Sequence, residues 1–169
     1  VTDMSYMFTA ATGANSDTSN WDTSSVMNMV GMFQSATSAN PDTSNWDTSS
    51  VTTMHGMFTD ATSANPNTSN WNTSSVSDML YMFQGATGAN PDMSSWVFTS
   101  VQNMGGMFSG IDIGVESYSN LLIQLEEQND NSAVPLGGGL AQYNAAAGVA
   151  RAALIADHGW DITDGGPAP

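Results

Sequence analysis

One residue pattern returns every 25 positions. Val1, Val26, Val51, Val76 and Val101 open five near-copies, and Phe8, Phe33, Phe58, Phe83 and Phe108 recur at one offset. Trp21, Trp46, Trp71 and Trp96 recur at another. A period this short means small supersecondary units that share a core only with their neighbours. It also favours a binding or display role over catalysis, since an active site is single and asymmetric whereas a repeat multiplies one surface.

Ser50 to Ala64 serves as the type unit. Val51, Met54, Met57, Phe58 and Ala61 are spaced by three, three, one and three, which predicts one face of a short helix with Ser50 as its N-cap. Pro41, Pro66 and Pro91 stand at the entrance of an extended stretch that runs to the tryptophan, a position where a strand tolerates proline. The expected fold class is therefore an α/β solenoid, a parallel stack of five 25-residue strand–helix coils. The methionine columns at Met4, Met29, Met54, Met79 and Met104, and at Met7, Met32, Met57, Met82 and Met107, share the Val and Phe face. That makes them core rather than soft-metal ligands. The tryptophans are read as core or its edge, each indole N–H seeking a partner in the Ser and Asn columns.

Sixteen acidic residues face a single base, Arg151, giving a net charge of −15. Such a surface repels nucleic acid. There is no cysteine, which excludes disulfides and thiolate metal sites. No stretch approaches the roughly 20 apolar residues of a membrane span, so no membrane insertion is expected. Val1 already lies inside a repeat, which suggests a piece of a longer protein. Few bases among abundant Asp, Asn, Ser, Thr and Gly fit an extracellular, cell-surface or secreted bacterial protein of marine origin.

Residues 46–58, Trp-Asp-Thr-Ser-Ser-Val-Thr-Thr-Met-His-Gly-Met-Phe, resemble the W-D-x-S-S-V-T-x-M-x-x-M-F repeat of BspA-like leucine-rich repeat surface proteins. The resemblance covers residues 1 to 111 in five copies, and residues 118–166 resemble the segment that closes such arrays. It implies a right-handed parallel solenoid, a role in adhesion or ligand binding, and no catalytic residues. Ala14, Ala39, Ala64 and Ala89 stand where the family has large apolar residues, and Thr18, Thr43, Thr68 and Met93 where it has Ile.

The expected division is a five-repeat solenoid over 1–115, a helical cap over 116–164 and a linker over 165–169. Tyr118, Leu121, Leu122 and Leu125 have helical spacing, a second helix spans 145–157 with Gly159 as its stop, and residues 135–139 are read as a loop. His55 and His158 lack partners at metal or triad spacing, and no nucleophile elbow occurs; the chain is read as a non-enzyme. Asp17, Asp42, Asn67 and Asp92, with Ser19, Ser44, Ser69 and Ser94, form an outward ladder suited to a host or environmental ligand, glycan or protein. Asp22 and Asp47 are weak candidates for calcium, although Asx turns explain both acidic columns more simply. The functional expectation is an extracellular, non-catalytic adhesion or ligand-binding module. A structural spacer and an ice-binding module are the alternatives, the latter requiring outward threonines.

Overall fold

The computed structural model describes residues 1–128 and 131–169. Its regular elements are α1 (Val115–Gln128), β1 (Pro135–Gly137), α2 (Ala145–His158) and β2 (Asp161–Thr163). All four follow the repeats. The expected right-handed solenoid of five strand–helix coils is not formed: the described residues of the repeats hold neither a helix nor a strand, only turns and isolated parallel bridges.

Backbone handedness is the physical reason. Two positions four residues apart adopt positive φ in every copy, for example Gly31 and Ser35 at 56° and 57°, and Tyr81 and Gly85 at 56° and 65°. Left-handed residues at that interval break any right-handed helix. The amides between them alternate in destination. Those of Gly31, Phe33 and Ser35 donate forward to the carbonyls of His55, Met57 and Thr59, at 2.7–2.8 Å. Those of Met32, Gln34 and Ala36 close turns onto Met29, Gly31 and Phe33. Successive three-residue turns bury the same spacing that a helix face would. Ser50, expected as an N-cap, instead donates its hydroxyl back to the Ser24 carbonyl at 2.8 Å.

The repeats nevertheless share one core. Val51, Met54, Met57, Phe58, Ala61 and Ala64 are all fully buried. Phenylalanine rings lie parallel in a column at 5.2 to 6.0 Å from Phe8 to Phe108, and tryptophans at 6.1 to 6.5 Å from Trp21 to Trp96. Indole partners come from the main chain rather than from Ser or Asn: Trp46 and Trp96 donate to the carbonyls of Thr18 and Thr68. The buried Trp71 Nε1 has no partner among the described residues, which nothing in the structure explains. Thr18, Thr43 and Thr68 point inward, each hydroxyl donating to a carbonyl of the following repeat at 2.7–2.8 Å. Their burial withdraws the ice-binding reading.

Residues 135–139 are not the expected loop. β1 lies where a further repeat would, bridging Met104 through Leu136, and receives hydrogen bonds from Met104 and Phe108. It then pairs in parallel with β2. Gly137 sits directly on the backbone of Gly106, so a Cβ there would collide with main chain. Helix α2 carries Asn144 as N-cap, accepting from Ala147, and the left-handed Gly159 as its stop. Residues 165–168, expected as linker, are tied down: Gly165 donates to Ala141, and Tyr143 exchanges hydrogen bonds with Gly166 and Ala168. Neither helix is long and apolar enough to cross a membrane.

Candidate functional site

The polar columns acquire their geometry from Asx turns. The Oδ1 atoms of Asp17, Asp42, Asn67 and Asp92 accept from the amides of Ser19, Ser44, Ser69 and Ser94 at 3.0–3.2 Å. The hydroxyls of Ser19, Ser44 and Ser69 add a second bond to the same atoms. Asp22 and Asp47 do the same with Ser24 and Ser49. The carboxylates are exposed, yet one oxygen of each is committed to its own turn. No three acidic or imidazole groups gather into a metal site among the described residues.

These bonds favour the ionised form. The serine hydroxyl, and secondarily the serine amide, holds Asp17, Asp22, Asp42, Asp47 and Asp92 below the ordinary carboxylate value of 3.8. A depressed folded-state pKa gives stability that is fully present above the unfolded value and is lost as pH falls through the folded one. The melting temperature is therefore expected to fall as pH drops below 3.8. Exchanging Asp17, Asp42 and Asp92 together for asparagine should flatten that fall, because Asn67 already makes the same turn with an amide. An acid transition unchanged in the triple variant would contradict this account.

The serine-aspartate ladder does not run on unbroken. In the first four repeats each member of the column follows the last through threonine hydroxyls. Where a fifth member would lie, α1 stands instead. The Gln124 amide donates to the Ser94 carbonyl at 3.0 Å, and Gln128 accepts from Phe98. A helix about 10 Å across cannot fill a slot about 4.8 Å wide. The misfit leaves a groove of about 410 Å³. Its floor is apolar, from Pro91, Met93, Leu121 and Ile123; its rim is polar, from Asn90, Asp92, Ser94, Ser117, Asn120 and Gln124. That volume and mixture match ordinary small-ligand sites.

Of the residues singled out from sequence, Asp92 and Ser94 line the groove. Asp17, Asp42, Asn67 and their serines extend away from it along the same column, and Asp22 and Asp47 belong to another turn. Ser117, Asn120 and Gln124 escaped sequence reasoning, which assigned α1 to capping alone. The available signal was the fifth copy, which loses the Asp-Thr-Ser pattern where a helix begins.

A family model described as "Mycoplasma protein of unknown function, DUF285" matches residues 2–120, all five repeats and the first turns of α1. No curated protein and no solved structure matches the chain.

Proposed function

From a chain that belongs to the DUF285 family of Mycoplasma proteins of unknown function, we propose a BspA-like surface repeat module, extracellular and non-catalytic, that binds an adhesion ligand of glycan or protein nature. The groove between the fourth repeat and α1 carries this reading. It brings Asp92 and Ser94 of the polar column together with an apolar floor and a polar rim. Three helix residues there, Ser117, Asn120 and Gln124, supply hydroxyl and amide groups that suit a neutral, hydrogen-bonding ligand.

The test is a binding screen against immobilised glycans and extracellular-matrix proteins, run beside an Asn120→Trp variant. Asn120 is exposed on the groove rim, so an indole there fills the space without touching the core. Binding by the parent chain and a loss of about tenfold or more in the variant is the expected result. Equal binding by both would place the ligand elsewhere.

A structural spacer is the second reading, favoured by one observation: the ladder's Oδ1 atoms are engaged by their own turns, leaving a polar face that is largely self-satisfied. A spacer binds nothing in the same screen.

A further inference from the structure

Two tyrosines break the repeat pattern at one offset. The offset reads Tyr6, Gly31, Gly56, Tyr81 and Gly106, all with positive φ between 56° and 59°. A tyrosine in that conformation is strained by roughly 1–2 kcal/mol relative to glycine, so its presence twice calls for a physical account. Each ring lies over the glycine of the next repeat: a Cβ on Gly31 would sit 2.5 Å from Tyr6 Cε1, and one on Gly106 the same distance from Tyr81. One side of each phenol is thus seated on backbone, while the tyrosines remain 57% and 42% exposed.

Gly56 lies between them and is not covered by a ring. The one atom close to where its Cβ would be is Thr59 Oγ1, at 3.3 Å. The result is a trough of about 120 Å³ with Tyr6 and Tyr81 at its ends. The two tyrosines are three repeats apart, roughly 14 Å at the spacing of paired chains. Gln34 and Gln84 line the sides. Both side-chain amides are half-buried, and neither makes a hydrogen bond to a described residue. His55 completes the wall, its Nδ1 3.4 Å from Asp78 and its ring edge-on to Tyr81 at 6.2 Å. None of the lining residues is a carboxylate, in a chain of net charge −15.

We propose that this trough is a saccharide site that takes a neutral pyranose unit. The chemistry follows from the wall. An aromatic face accommodates the C–H face of a sugar ring. A primary amide offers both an acceptor and two donors, which matches hydroxyls that do both. A lining without carboxylates leaves these groups free to meet a neutral ligand. The carrying features are the ring ends and the two unpartnered amides; the glycines provide only the space. The site shares no residue with the groove beside α1, and its success or failure is independent of that reading.

The test uses neutral trisaccharides, β-1,4-glucan, β-1,4-mannan and α-1,4-glucan, added to the intact chain. Binding is followed by saturation transfer to sugar C–H protons and by shifts of the Tyr and Gln side-chain signals. At least one sugar is expected to shift Tyr6, Tyr81, Gln34 and Gln84 together. Tyr81→Ala should weaken binding by about tenfold, from the loss of ring contact, while Tyr81→Phe retains most of it. Gln34→Leu, which leaves the rings in place, should weaken it as well. Asn120→Trp should leave it unchanged. No shift with any of the three sugars would overturn the proposal, as would equal affinity in Tyr81→Ala and Gln34→Leu with their melting temperatures intact.

Discussion

Replacing Asp164 with alanine is expected to lower the unfolding free energy by about 3–5 kcal/mol. Its carboxylate is only 2% exposed and gathers three elements of the C-terminal region. Oδ2 accepts from Tyr118 of α1 and from Arg151 Nε of α2, both at 2.8 Å, while Oδ1 accepts from the Gly166 amide at 3.1 Å. Arg151 is the one base in the chain and also donates to the Ile162 carbonyl and lies over the Tyr143 ring at 5.4 Å. Without Asp164 a partly buried guanidinium and a buried phenol lose their common acceptor. Burial, reinforced by Asp164, raises the Tyr118 pKa, so that phenol remains a neutral donor across the physiological range. Urea unfolding followed by the combined tryptophan fluorescence and by far-ultraviolet circular dichroism, which reports α1 and α2, measures the loss. A double exchange, Asp164→Leu with Arg151→Met, should recover much of it, since removing both charges avoids the unpaired one. A loss below about 1 kcal/mol in the single variant would mean that solvent reaches the pair, as at an exposed salt bridge.

Phe58→Ala should cost a similar amount, about 3–5 kcal/mol. Phe58 is fully buried, with Phe33 and Phe83 parallel to it at 5.5 Å on either side. Its removal opens a void that two neighbouring repeats cannot both close, because each is held by its own turns. Phe8 has the same offset but a ring on one side only along the column, and it is half-buried. Phe8→Ala should therefore cost less than half as much. Equal losses at the two positions would show that the column does not act as a set of pairwise contacts. Calorimetry on the two variants and the parent distinguishes these outcomes.

Much of the core could be read from the period. Val26, Met29, Met32 and Phe33 are buried as their columns predicted, as are Trp46, Trp71 and Trp96. The closing helices were legible because Tyr118, Leu121, Leu122 and Leu125 have a spacing that only a helix buries on one side. The repeat itself was misread. A spacing of three, three, one and three fits a helix face and equally a run of three-residue turns, and hydrophobic pattern alone does not separate them. Gly31, Gly56 and Gly106 hinted at left-handed backbone, but Tyr6 and Tyr81 at the same offset hid it. β1 was illegible because it is three residues long, and Gly137 runs into Gly138 and Gly139 as a turn would. Gly137 is there because it rests on the Gly106 backbone, a contact with no trace in local sequence. The groove was half legible. Asp92 and Ser94 stood out by repetition, whereas Asn120 and Gln124 matter only through a misfit between a helix and a ladder.

The forward donation of amides gives the row of repeats a direction. Met4, Tyr6, Phe8 and Ala10 donate to the second repeat, while the carbonyls of Asp3, Ser5, Met7 and Thr9 accept from no described residue. One offset along, the carbonyls of Asn28, Val30, Met32 and Gln34 are the acceptors of the first repeat's amides. A row built this way accepts a new unit in one sense only, with its amides directed at the carbonyls of the unit that follows. A unit set against it in the reversed sense would bring lone pair against lone pair. The polarity of the peptide bonds therefore fixes the order of stacking without any side chain to enforce it.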